Sequence, residues 1–566
     1  MSHVNRGVAA AARAVRAPAL IALLVLAAAA CKKEGGELPP GFGPRGAAVD
    51  VSKLQAPALF AHIPADTPYV MAAFEAVPLE YYASIRRALG PALARNIDQL
   101  RATLRDSELN RWIDAVTDEL DGKWSAKGLE SLGLSAQPRF AAYGHGALPA
   151  VFRIEIKDDK ALLATIERVA HRAGATLPAL ENRHGREFWR IELPNDAGAI
   201  VAIADHQLVA AIGPRHTIAA ALPQILGAEK PPRSMADGEE LKRLIAKHRL
   251  GPLLIGYVDS KRLAGALVAL AERAPPAACT AEIDRLAAAV PRLVVSYPEL
   301  TAKRFSAAFI VELAPALAEQ VKAMRAAVPG LAAALEGEPL LAFGGGLDLA
   351  RGQAAGKSLA AAFRDLGEAC ESEELVRGAR KLHDALAAPI PAPFAKISGG
   401  AVAVDAIDLN TGGGRQSGPP IPRSLDGFAL LAAADAKATF EALAGAAPPV
   451  RALDLAADGK LHTIELTKFG LPFDIRGGVG ERTIVLAAGD RGAKQAKAAL
   501  SASAGGPAPF LAGAMDMRKL MELQAKLDPA AARALDNGMA DLLGRVTFSV
   551  DATDAGLAMW MSGELK

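Results

Sequence analysis

The chain is written twice. The stretch FRIEIKDDKALLATIERVAHRAG from Phe152 lines up with FALLAAADAKATFEALAGAA from Phe428 at an offset of 276 residues. The same offset pairs Gly213 and Arg215 with Gly489 and Arg491, and RIELP after Trp189 matches TIELT after His462 with a small gap. Downstream, GPLLIGYVDSKRL (Gly251–Leu263) matches GPAPFLAGAMDMRKL (Gly506–Leu520), and Arg292–Leu313 match Arg545–Leu565. Landmarks in one order predict a tandem duplication, with a first unit over residues 57–337, an inter-unit helix included, and a second over 338–566.

Each unit repeats a local grammar: strand, Asp, amphipathic helix, two or three strands, Gly turn, helix. Asp159 and Asp435 stand where a helix N-cap belongs, before apolar residues at helical spacing. Strands such as Ile200–Ile203, Gln207–Ile212 and Thr483–Ala488 are joined by turns too short for parallel crossovers. The expected fold class is therefore α+β: two tandem related units, each an antiparallel sheet with helices packed on one face. Because each unit carries its own strands and helices, a fragment ending near Gly337 is expected to fold alone. A partner or apolar ligand is expected in the cleft between the units.

The N-terminus supplies an address. Arg6, Arg13 and Arg16 precede an uncharged Ala/Leu stretch, Ala17–Ala30, with small residues before Cys31. That order is a secretory signal, positive then apolar then small, and the stretch is short for a membrane span. Ala28, Ala29 and Ala30 before Cys31 resemble the lipobox of bacterial lipoproteins. The resemblance implies removal of residues 1–30, acylation of Cys31 with chains such as palmitate, and export to the cell envelope, at the outer membrane facing the periplasm. Several acyl chains hold a protein to a bilayer where one does so only marginally. Residues 31–56 then comprise the lipidated cysteine and a flexible tether, Gly/Pro-rich and charged from Lys32 to Pro44.

Composition narrows the partners. With a formal net charge of +2 and 22% charged residues, neither a basic patch for nucleic acid nor an acidic tail stands out, and no nucleic-acid partner is expected. Beyond Cys31 the chain has two cysteines, Cys279 and Cys370, which read either as a disulfide in an oxidising compartment or as two buried small side chains. Neither belongs to a CxxC.

The segment FAHIPADTPYVMAAFEAVP (Phe60–Pro78) resembles the opening of uncharacterised bacterial envelope proteins in which PADT leads into the first strand. The second unit has EGEPLLAFGGGLDL there instead. This resemblance implies an envelope protein and no particular chemistry.

Motifs for chemistry are weak. GQAAGKS (Gly352–Ser358) is one residue short of a phosphate loop and reads as a loop entering an Ala-rich helix. His62, His145, His171, His184, His206, His216, His248, His383 and His462 show no metal-ligand spacing and read as surface or boundary residues. ESEE (Glu371–Glu374) reads as a solvated helix face, and NTGGGRQSGPPIP (Asn410–Pro422) as a surface loop or lid. Arg215 and Arg491 hold matching places at helix starts, suited either to an anion or to an ion pair. No catalytic residue, metal or cofactor is expected. The sequence thus reads as a membrane-anchored lipoprotein with a binding or structural role, its partners being the bilayer and an envelope protein or apolar ligand. The competing class is an envelope hydrolase whose active site is not legible as a motif.

Overall fold

Alternating apolar residues at every second position, in strands separated by short turns, build one continuous sheet, of nineteen strands among the described residues, every pair of neighbours antiparallel. The structure, a computed structural model, describes residues 49–81, 83, 108–271, 273–409, 422–465, 472–503, 505–527 and 543–565. The signal segment, Cys31, the tether to Pro44 and residues 410–421 of the glycine-rich stretch lie outside the described residues.

The first half contributes β1 (Tyr69–Ala72), β2 (Phe140–Gly144), β3 (Ala150–Glu155), β4 (Leu180–Arg183), β5 (Arg186–Glu192), β6 (Ala197–Ala204), β7 (Gln207–Pro214), β8 (Leu254–Asp259), β9 (Arg292–Leu300) and β10 (Arg304–Glu312). The second half contributes β11 (Leu341–Gly346), β12 (Ile397–Leu409), β13 (Pro422–Ala433), β14 (His462–Ile464), β15 (Ile475–Val479), β16 (Thr483–Ala488), β17 (Leu511–Asp516), β18 (Leu543–Thr553) and β19 (Gly556–Leu565). From the middle outward, the first half runs β10, β9, β8, β1, β2, β3, β7, β6, β5, β4. The second runs β19, β18, β17, β11, β12, β13, β16, β15, β14. These are the same order, with β4 extra.

The halves meet where β10 pairs with β19 over nine residues without a register shift, from Arg304 opposite Glu564 to Glu312 opposite Gly556. Around this seam the first half's core takes in a residue of the second. Leu241, Leu244 and Ile245 of the helix Glu240–His248 share a cluster with Ala308, Ile310 and Ala558, and Trp560 packs against it. The first half's ladder at this seam and its core thus each include residues of the second half. Cys279, in the helix Ala277–Ala289, is joined by a disulfide to Cys370, which ends the helix Leu349–Ala369.

The two largest cores lie on one face of the sheet, one in each half. Beneath them sit corresponding helices, Arg215–Ile225 and Gly489–Leu500. The opposite face carries a thinner layer, including Ala436–Ala446 in the second half and the seam helix Pro315–Lys322. The N-cap before the first half's helix Asp159–Arg172 is Asp158, whose Oδ1 accepts from the Ala161 N–H at 3.0 Å. Asp435 does the same for Ala438. The expected cap at Asp159 is thus displaced by one residue, because β3 aligns with β13 at an offset of 277 and not 276. GQAAGKS is no loop: it lies inside the helix Leu349–Ala369, whose N-cap is Asp348.

Candidate functional site

On the thinly covered face, residues of adjacent strands stand side by side in rows. In the second half one row reads Gly513, Phe343, Val402, Ala429, Leu486, Gly477, from β17 through β11, β12, β13 and β16 to β15. The corresponding row in the first half reads Gly256, Met71, Ala142, Phe152, Ala210, Val201. Where the first half carries Phe152, the second carries Ala429.

That small residue leaves room. Helix Ala436–Ala446 packs Phe440 against Ile484 and Leu486, and the chain beyond it adds Val450, Leu453 and Leu455. Between this cover and the strand floor lies a half-open groove of about 370 Å3 whose fourteen lining residues are all apolar or glycine, from Phe343, Val402 and Leu431 to Leu443. Phe343 is 42% and Val402 36% exposed at its mouth. Its size is that of a small-molecule pocket. The groove lies inside the second half, and the halves themselves are joined by a β-ladder.

The paired arginines are both ion-paired, in different settings. Arg215 is exposed and reaches Asp196 at 2.9 Å and Glu192 at 2.5 Å. Hydrogen bonding by Asp196 and the charge of Glu192 raise its pKa above the ordinary arginine value. Arg491 brings Nε to 3.1 Å from Oδ1 of Asp405, whose side chain is only 5% exposed, and donates through Nη2 to the Glu336 carbonyl. Distance makes this an ion pair, but its angle is too poor for a hydrogen bond, so both Asp405 oxygens lack one. Burial therefore raises the Asp405 carboxyl against the pull of Arg491, and Asp426 adds to the rise.

Two histidines are not boundary residues. His248 is buried and its Nε2 lies 2.7 Å from Glu312, which also accepts from Lys247 at 2.6 Å. Burial alone would raise the Glu312 carboxyl, but these hydrogen bonds outweigh it and hold it down at about 2. His62 is buried too, and burial, with the charge of Arg153 second, lowers it to about 4. Arg153 itself, 1% exposed, bonds to Tyr143, Gln207 and the carbonyls of Gln224 and Ile225, capping the C-terminal end of the helix Arg215–Ile225. Other histidine contacts are His145 with Gln224, His206 with Asp159 and His462 with Asp458. ESEE starts a helix, with Ser372 as its N-cap.

No protein family, characterised protein or solved structure matches this chain. Among the described residues, no group of three or more His, Cys, Asp or Glu is placed to hold a metal ion, and no helix is long and apolar enough to cross a membrane.

Proposed function

We propose that this protein is an exported lipoprotein, held to the bacterial envelope through acylated Cys31, that binds an acyl chain or similar apolar ligand in the groove of its second half. The observation that carries the reading is the groove's lining: a cavity of about 370 Å3 without one polar side chain suits a ligand that asks for no hydrogen bond. Residues Val450, Leu453 and Leu455 would close over such a chain, with its polar end at the mouth beside Phe343 and Val402. The anchor and the groove serve one setting, since a protein tethered at a bilayer meets lipid at high local concentration.

Displacement of a fluorescent fatty acid tests the groove. Ala429→Phe, which copies the residue of the first half, fills the floor and is expected to weaken binding by about tenfold, the worth of roughly 1.4 kcal/mol. Phe152→Ala in the first half should leave it unchanged. Undiminished binding in Ala429→Phe ends the proposal for this groove. For the anchor, labelled palmitate should enter the wild type and not Cys31→Ser; equal labelling would refute lipidation at that cysteine.

A further inference from the structure

A second cavity, also of about 370 Å3, opens in the first half in front of the PADT segment. One wall is the chain from Pro64 to Pro68, another the turn after β2 at His145, and a third the segment Pro231–Arg233 beside Arg262. Its chemistry is the reverse of the groove's.

Several of its polar groups are already committed. His145 bonds to Gln224 at 3.0 Å, and the Thr67 hydroxyl donates its one proton between the carbonyls of Gly144 at 2.6 Å and Tyr69 at 2.9 Å. Two charges are not, and a third is only loosely held. Asp66 and Arg233 are exposed, line the same cavity, and neither side chain has a hydrogen bond or ion pair among the described residues. Arg262 is half-buried: its Nη1 reaches the carbonyls of Ala65 and Thr67 and the Tyr257 hydroxyl only at 3.3, 3.5 and 3.5 Å, and its Nε forms a long ion pair with Asp259 at 3.8 Å. Bonds that long leave much of a guanidinium's donor capacity unused.

The second half shows that this cavity is not inherent to the fold. Lys519 takes the place of Arg262, its N–H donating to Asp516 as the Arg262 N–H donates to Asp259. The segment of residues 226–253, which supplies Arg233, has only residues 501–510 opposite it, and PADT is missing. Arg491 instead lies against Glu336 and Gly337. An added segment and the PADT segment together line this cavity in the first half.

We infer that the cavity binds a compact zwitterion, a free amino acid or a dipeptide, with its carboxylate at Arg233 and Arg262 and its ammonium at Asp66. A lone anion would meet the Asp66 charge and a lone cation the two guanidinia, whereas a ligand bearing both signs satisfies all three groups. Guanidinium forks suit a carboxylate, and the cavity's size admits only a small molecule.

Isothermal titration of the detergent-solubilised full chain tests this with glycine, L-alanine, L-glutamate, L-lysine and di-L-alanine, and with acetate and methylammonium as single-charge probes. At least one zwitterion should bind saturably and about tenfold more tightly than either single-charge probe. Asp66→Asn and Arg233→Gln should each weaken it by about tenfold. Both side chains are exposed and unpaired, so melting temperatures should stay as in the wild type, and fatty-acid displacement at the other site should be unaffected. Tighter binding of an amino acid than of the dipeptide, or the reverse, names the source. Absence of saturable binding by every zwitterion, acetate binding as tightly as the best of them, or unchanged binding in either variant overturns the inference.

Discussion

The two halves share a strand order and differ in what fills it. The first half's large core is built on bulky side chains such as Phe60, Phe188, Tyr143, Ile200, Ile218 and Ile225. In the second half, eleven of the seventeen core residues are alanine. Fully burying a Leu, Ile or Phe contributes roughly 1.5–3 kcal/mol, and an alanine much less. Small side chains offer closeness instead of bulk: a Cβ on Gly492, in the helix Gly489–Leu500, would stand 2.0 Å from the Gly427 carbonyl oxygen, so that helix rests on the strand backbone itself. One backbone plan thus supports a core held by side-chain volume and another held by near contact of main chains. The thin packing also leaves the second half its groove, where Ala429 replaces Phe152.

If the second half owes less to its own core, it should owe more to its tie to the first. Closing the loop between Cys279 and Cys370, 91 residues apart, contributes about 4 to 5 kcal/mol by the chain-entropy estimate. Reduction, or Cys279→Ala with Cys370→Ala, is expected to lower thermal stability by that order. Hydrogen exchange should rise more in β11–β17 than in β1–β8. Equal loss of protection in both halves would break the comparison.

Acid sharpens it from the other side. His62 charges at about pH 6.5 when unfolded and at about 4 when folded, so the unfolded state alone binds the proton between these values. Stability should fall by on the order of 3 kcal/mol as pH drops from 6.5 to 4, with Glu312, depressed to about 2, adding to the loss below pH 4.5. In the second half burial raises the Asp405 and Asp551 carboxyls, and these contributions have the opposite sign, weakening as pH rises through the raised values. Urea midpoints at pH 7 and 4.5 check the claim: His62→Gln should narrow the gap, and an unaltered gap would remove His62 as its source.

The smallest contrast lies between the paired arginines. Arg215→Ala removes exposed ion pairs and should leave the urea midpoint unchanged. Arg491→Ala strands a buried carboxylate and should cost about 1 to 3 kcal/mol at pH 7, less at acidic pH as Asp405 takes up a proton. Equal effects at pH 7 would mean that the depth of Asp405 is irrelevant.

Much of this plan is legible in the sequence. The landmarks at Gly213 and Gly489, at Gly251 and Gly506, and at Arg292 and Arg545 fall on corresponding strands and turns. What misled was letter identity. Phe152 and Phe428 match at an offset of 276, yet Phe152 is 38% exposed on one face and Phe428 is 3% exposed on the other. A strand has period two, so a slip of one residue exchanges its faces. The groove was illegible for a related reason: Phe343, Val402 and Leu431 read like core positions, and only the placement of the helix Ala436–Ala446 leaves them uncovered. Arg153 gave no signal either, because a lone arginine in an alternating strand reads as a solvent-facing residue.

A sheet of nineteen strands must end somewhere, and its ends decide whether it can grow. An open strand edge is a row of unpaired amides and carbonyls on which another copy could polymerise. Here the ladder nine residues long, β10 on β19, is sealed in the middle of the molecule, while the terminal strands β4 and β14 span only four and three residues. β4 also carries Glu181 and Arg183, charges that discourage an incoming strand. The long edges of the two halves thus quench each other, and among the described residues the strands at the two ends of the sheet are short, the form in which an edge offers least to an incoming strand.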